Sequence, residues 1–165
     1  MEQMLKHAAG TVFTGIGATA ILDIWMLGLK ALNVPTMNFA LLGRWIGHMF
    51  SGIWKHERIG NAEPVRGEAV LGWVAHYAIG IVFAALLVIA QGVEWLAAPR
   101  LMPALVTGLA TVVAPLFIMQ PAMGGGVAFT GTPRPVFNGL KSLVNHGVFG
   151  CGLYLAAMML TWGFE

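Results

Sequence analysis

Charged side chains are scarce in this chain: of 165 residues nine are Lys or Arg and seven are Asp or Glu, 10% together. Soluble domains carry about 25%, so composition excludes a water-soluble globule, and a hydrophobic share of 58% excludes disorder as well. Cysteine is scarcer still. With Cys151 alone, neither an intramolecular disulfide nor a cysteine-rich zinc site can be built. Net charge is only +2, too small an excess for the pI of about 9.0 to mark a nucleic-acid binder. No Lys-Ser/Thr follows the glycines at 124–126, which disfavours a nucleotide-binding loop.

What is abundant is apolar length. The mean hydropathy of +0.76 is concentrated in four runs, about 7–29, 69–93, 101–120 and 140–162. Each is long enough for a helix rising about 1.5 Å per residue to cross about 30 Å of hydrocarbon. None alternates as a barrel strand would. The first run is too long for a secretory signal and lacks a small-x-small cleavage site, so it reads as an uncleaved span. The expected fold is all-α: one integral membrane domain over 1–165, built on four transmembrane helices. In the first loop, 38–54 carries Phe39, Leu42, Trp45, Ile46, Met49, Phe50 and Ile53 at helical spacing beside a polar stripe of Arg44, His48, Ser51 and Lys55. That pattern predicts an amphipathic helix lying in the membrane interface, its cations against anionic lipid headgroups. The alternative is a helix packed on the loop ends of the spans. The first and third loops hold Lys30, Arg44, Lys55, Arg58, Arg66, Arg134 and Lys141, and the opposite side only Lys6 and Arg100. Seven against two places both loops in the cytoplasm and both termini outside.

An offset of 70 residues lays His76 and Gly80 on His146 and Gly150, and a fainter echo sets Thr14-Gly15-Ile16 against Thr107-Gly108-Leu109. The pattern suggests a duplicated helix pair. Positions four apart share a helix face, which gives stripes Thr11, Gly15, Thr19, Asp23; Glu68, Gly72, His76, Gly80; and Asn138, Ser142, His146, Gly150, Tyr154. Small residues let backbones approach and polar ones bond across helices, so the three faces are expected to point at one another.

Asp23, His76 and His146 fall at one expected depth, roughly 9–11 Å below the cytoplasmic ends of their spans. Ionisable groups in hydrocarbon are costly and mark paired or functional positions. Such a set suits a divalent metal such as zinc, iron or manganese, or a proton relay; a purely structural hydrogen-bonded cluster is the bland counterpart. Pro115 removes a backbone bond and should kink the third span. A cytoplasmic-side group of candidates comprises Arg44, His48, His56, Glu68, Gln120 and Arg134, with Glu57 and Glu63 nearby; its spacing matches no tight metal motif.

Gly17-Ala18-Thr19 leading to Asp23, Gly43-Arg44-Trp45-Ile46-Gly47-His48, Arg66-Gly67-Glu68, Gly72-Trp73-Val74-Ala75-His76-Tyr77, Gln120-Pro121-Ala122-Met123-Gly124 and Ser142-Leu143-Val144-Asn145-His146 together resemble an uncharacterised bacterial membrane family, the domain of unknown function numbered 2938. The resemblance covers nearly the whole chain. It implies a bacterial, multi-pass envelope protein of the inner membrane and carries over no catalytic residue. The function expected is binding or transport of a proton, a metal ion or a small polar or lipid ligand through Asp23, His76 and His146. A membrane-embedded metal-dependent enzyme acting on a lipid-soluble substrate, and an accessory or scaffold subunit, are the alternatives. Expected partners are the bilayer and a second copy or a larger membrane complex, and no nucleic acid.

Overall fold

The computed structural model describes residues 1–163. Every element within them is helical: α1 (Glu2–Ala31), α2 (Phe39–Met49), α3 (Glu68–Gln91), α4 (Glu94–Ala97), α5 (Leu101–Ala110), α6 (Gln120–Met123) and α7 (Pro135–Gly163). A π-helical stretch, Ala114–Met119, separates α5 from α6, and single 3-10 turns sit at Ile59–Asn61 and Val127–Phe129. Four stretches are long and apolar enough to cross a membrane: Glu2–Ala31, Glu68–Gln91, Leu101–Met123 and Pro135–Thr161. They coincide with the four apolar runs of the sequence.

The chain folds as two compact units, and α3 and α7 contribute to both. The first gathers Met1–Thr36, Tyr77–Thr111 and the residues from Asn145 onward. Its core is Ala18, Ala84, Leu87, Trp95, Ala104, Phe149, Leu153 and Ala157, all buried. Helices meet there at backbone contact. Gly15 lies against the main chain of Gly80 and Ile81, and Gly108 against that of Gly150, with no room for a methyl group at either. Each glycine of the 70-residue echo therefore touches the span before it: Gly80 touches Gly15, and Gly150 touches Gly108. The stripe on α7 faces α5, however, and not α1 as expected; α1 reaches α7 through another face, where Gly17 meets Ala156 and Gly152 meets Ala18. Hydroxyls on α1 are satisfied within the helix: Thr11, Thr14 and Thr19 each donate to the carbonyl four residues back at 2.8 Å. An apolar surrounding therefore costs them no unmade bond.

The second unit comprises Met37–His76 and Val112–Val144. Asn38 caps α2 by accepting the Ala40 amide at 3.0 Å. Gly43 of α2 and Gly72 of α3 remove the side chains that would hold these helices apart, so Gly43 rests on the Glu68 carbonyl and Gly72 on that of Phe39. The Gly72 part of the expected inter-span stripe is thus covered by α2. Pro115 has no amide to give the carbonyl of Thr111, and the helix passes into wider π-helical turns over Ala114–Met119. Past α6 the chain turns at Gly124, whose φ of +91° few other residues adopt and which packs on the carbonyl of Glu57. The His56 amide donates to Ala122 at 2.8 Å. These contacts hold the segment that bears His56.

Candidate functional site

In the first unit Asp23 and His146 have hydroxyl partners. Tyr77 donates to Asp23 at 2.9 Å, joining α1 to α3, and the Trp25 indole donates to Asn145 at 2.9 Å. The hydroxyl of Thr111 lies 2.6 Å from the carbonyl of Gly108 and 2.8 Å from Nδ1 of His146. Its single proton goes to the carbonyl, so His146 must donate from Nδ1, which fixes its neutral tautomer. In the second unit, the His76 ring stacks on Phe39 with centroids 4.1 Å apart, and Trp73 lies edge-on at 5.9 Å.

No three His, Cys, Asp or Glu side chains are grouped to hold a metal ion among the described residues. Asp23, with an oxygen on the Tyr77 phenol, and His146, with a ring nitrogen on the Thr111 hydroxyl, belong to the first unit, and His76 to the second.

All six cytoplasmic-side candidates belong to the second unit, and four of them lie on α2, the chain that follows it and the start of α3. Arg44 clasps Glu68 with two bonds, Nε to Oε2 and one terminal nitrogen to Oε1, both at 2.8 Å. Its other terminal nitrogen donates to the carbonyl of Ala62 at 2.9 Å, with Ile59 and Gly60 carbonyls at 3.4 Å. Glu68 also accepts the Val65 amide at 3.0 Å. The side chains are 12% and 17% exposed, so the pair is largely shielded from water. Hydrogen bonding to Glu68 pushes the Arg44 guanidinium above its usual pKa. Arg44 and Glu68 are therefore a fixed ionic clasp that ties α2 to the start of α3.

One turn along α2, Nδ1 of His48 lies 2.6 Å from Nε2 of His56, and Nε2 of His48 lies 3.0 Å from the carbonyl of Glu63. A carbonyl only accepts, so His48 Nε2 carries a hydrogen. In the neutral pair the contact then needs His56 Nε2–H donating to the bare Nδ1 of His48. That leaves Nδ1 of His56 bare, buried and without a hydrogen-bond partner. One added proton, taken at the bare Nδ1 of His56, leaves the contact intact whichever ring holds the shared hydrogen; two added protons set N–H against N–H and break the contact. Burial first, and the charge of His48 second, push the His56 pKa below its usual value, against the opposing pull of the Ala122 carbonyl. His56 also lines a cavity of about 550 Å³ with Glu57, Arg58, Asn61 and Ala62. Gln120, whose carbonyl accepts the Gly125 amide at 2.7 Å, and the exposed Arg134 lie outside this histidine contact.

Tyr77, Thr111 and Asn145, and the main-chain carbonyl of Glu63, were not legible as partners from sequence. Tyr77 had one available signal, as one of two tyrosines in the chain, directly after His76. The chain matches, over residues 12–160, a family described as "Protein of unknown function (DUF2938)". No curated protein and no solved structure matches it.

Proposed function

Because the chain belongs to the DUF2938 family, whose description assigns no activity, the reading rests on geometry, and we propose that the protein binds and passes protons at the loop end of a four-helix membrane domain. The observation that carries this is the 2.6 Å contact between His48 and His56. Two imidazoles so placed share a single proton position between them, and imidazole is the side chain whose ordinary pKa allows exchange near neutrality. The water-accessible cavity beside His56 supplies protons, and the neighbouring Arg44–Glu68 clasp keeps the pair in register. Asp23 and His146 in the first unit and His76 in the second are further candidate proton-binding groups within the spans.

The setting proposed is a bacterial inner membrane. Both termini face outward, and the first and third loops lie in the cytoplasm, following the basic residues. Lys55, Arg58, Arg66 and Arg134 then meet anionic headgroups, each worth about 1 kcal/mol near the surface. Histidine-selective NMR in nanodiscs tests the pair. The His56 titration should lie below that of an ordinary imidazole and should move toward it in His48→Gln. A His56 titration unaltered in His48→Gln would refute the shared proton.

A further inference from the structure

Helix α2 was expected to lie flat in the interface with its polar stripe toward headgroups, and its register against α3 supports a different placement. Within the second unit the contacts run in descending order. His48 meets the carbonyl of Glu63, Gly47 packs on Val65, Arg44 clasps Glu68, Gly43 sits on Glu68 and Gly72, and Phe39 stacks on Trp73 and His76. As the number falls along α2 it rises along α3, so the two run antiparallel, side by side. Eight residues separate Glu68 from His76, and a helix covers that interval in roughly 12 Å.

The amphipathicity of α2 is also reversed from that of a surface helix. Arg44 and His48, its polar side, turn toward Glu68 and His56. Leu41, Trp45, Ile46 and Met49 remain only partly covered. A helix that hides its charges in protein and presents its apolar side outward is suited to lipid. Helix α3 has 24 residues, about 36 Å at about 1.5 Å per residue, against about 30 Å of hydrocarbon. Even if some 3 Å protrude at each end, the level of His76 lies roughly 9 Å inside the hydrocarbon.

We propose that α2 is a re-entrant helix: its N-terminal end, at Asn38–Ala40, is immersed beside the third turn of α3, its outer face is covered by acyl chains, and its C-terminal end at Met49–Phe50 emerges at the headgroups. The Asn38 cap on the Ala40 amide fits such a position, because an amide left bare in hydrocarbon would cost several kcal/mol. Phe50 and Trp54, 83% and 65% exposed, then stand at the emerging end, where aromatic rings prefer to sit. This inference is independent of the proton reading and concerns only how α2 meets the bilayer.

Spin labels attached to Leu41→Cys and to Phe50→Cys, each in a Cys151→Ser background and reconstituted in vesicles of phosphatidylethanolamine and phosphatidylglycerol, test it. Relative collision with dissolved oxygen and with a water-soluble nickel complex reports depth. The label at 41 is expected roughly 10 Å deeper than that at 50, since nine residues along an upright helix cover about 13 Å and some tilt reduces this. Equal depths within about 3 Å, less than the width of one helix turn, would overturn the proposal in favour of a helix lying flat, and a label at 41 that is water-accessible would overturn it in favour of a soluble one. Ala40→Cys gives a second reading of the deep end should Leu41→Cys not fold. Loss of proton handling with the depth gradient intact would count against the proton reading alone.

Discussion

At the scale of single residues, the polar groups of this protein divide into those that lock and those that exchange. Arg44 and Glu68 lock: beyond their own two bonds, three carbonyls accept from or lie against Arg44 and one amide donates to Glu68, four further partners in all. Lysine at position 44 keeps the charge and loses the two-pronged geometry. Arg44→Lys should therefore lower the thermal transition of the purified protein by several degrees, and an unchanged transition would show the clasp to be idle. The histidines exchange. Because the folded-state pKa of His56 is depressed, the stability it contributes is complete above its unfolded value of about 6.5 and is lost as pH falls through the lower folded value. Proteolysis within 55–62 should accelerate below about pH 6 in the wild type and become pH-independent over that range in His56→Gln. In the spans, Tyr77→Phe removes one bond to Asp23 and should cost about 0.6 kcal/mol, the average for a hydrogen bond between membrane helices. A loss of several kcal/mol on equilibrium unfolding in mixed micelles would mean that Asp23 depends on the phenol far more than a single bond allows.

At the scale of elements, the helices were legible because a membrane imposes a length and an apolar composition that 20-odd residues display openly. The glycine contacts were legible too. The small residues of the stripes pointed to positions where backbones approach, and backbones touch at Gly80 and Gly150. What periodicity could not supply was direction. The stripe of Arg44 and His48 has the same spacing whether it faces water, headgroups or protein, and only the Gly43–Gly72 contact decides that it faces α3. Partners separated by 35 or 54 residues, such as Thr111 with His146 and Tyr77 with Asp23, leave no local signal at all. A lone hydroxyl in an apolar run satisfies its own helix backbone as readily as a neighbour. The Gly43 contact yields a prediction at this scale: a methyl there meets the backbone of α3, not a side chain that could move. Gly43→Ala should cost about 1–3 kcal/mol and weaken the His48–His56 coupling by displacing α2, whereas Gly28→Ala, with open space around it, should be silent in both assays.

At the scale of the whole molecule, four helices are long and apolar enough to cross a membrane, and the histidine pair and the ionic clasp belong to the second compact unit. With all four helices crossing, as proposed, the two termini lie on one side. Reporter fusions after Thr161 and within 62–66 should then report opposite compartments, the former outside, and a cytoplasmic report from the former would reverse the sidedness. The central claim, proton binding and passage by the histidine pair, is tested most directly with the intact protein in sealed vesicles holding a pH-sensitive dye. After an external acid pulse with the potential clamped by potassium and valinomycin, wild-type vesicles should acidify inside several-fold faster than empty ones, and His48→Gln and His56→Gln should return the rate to that of empty vesicles. Wild-type acidification no faster than that of empty vesicles, or undiminished acidification in both variants, would contradict it.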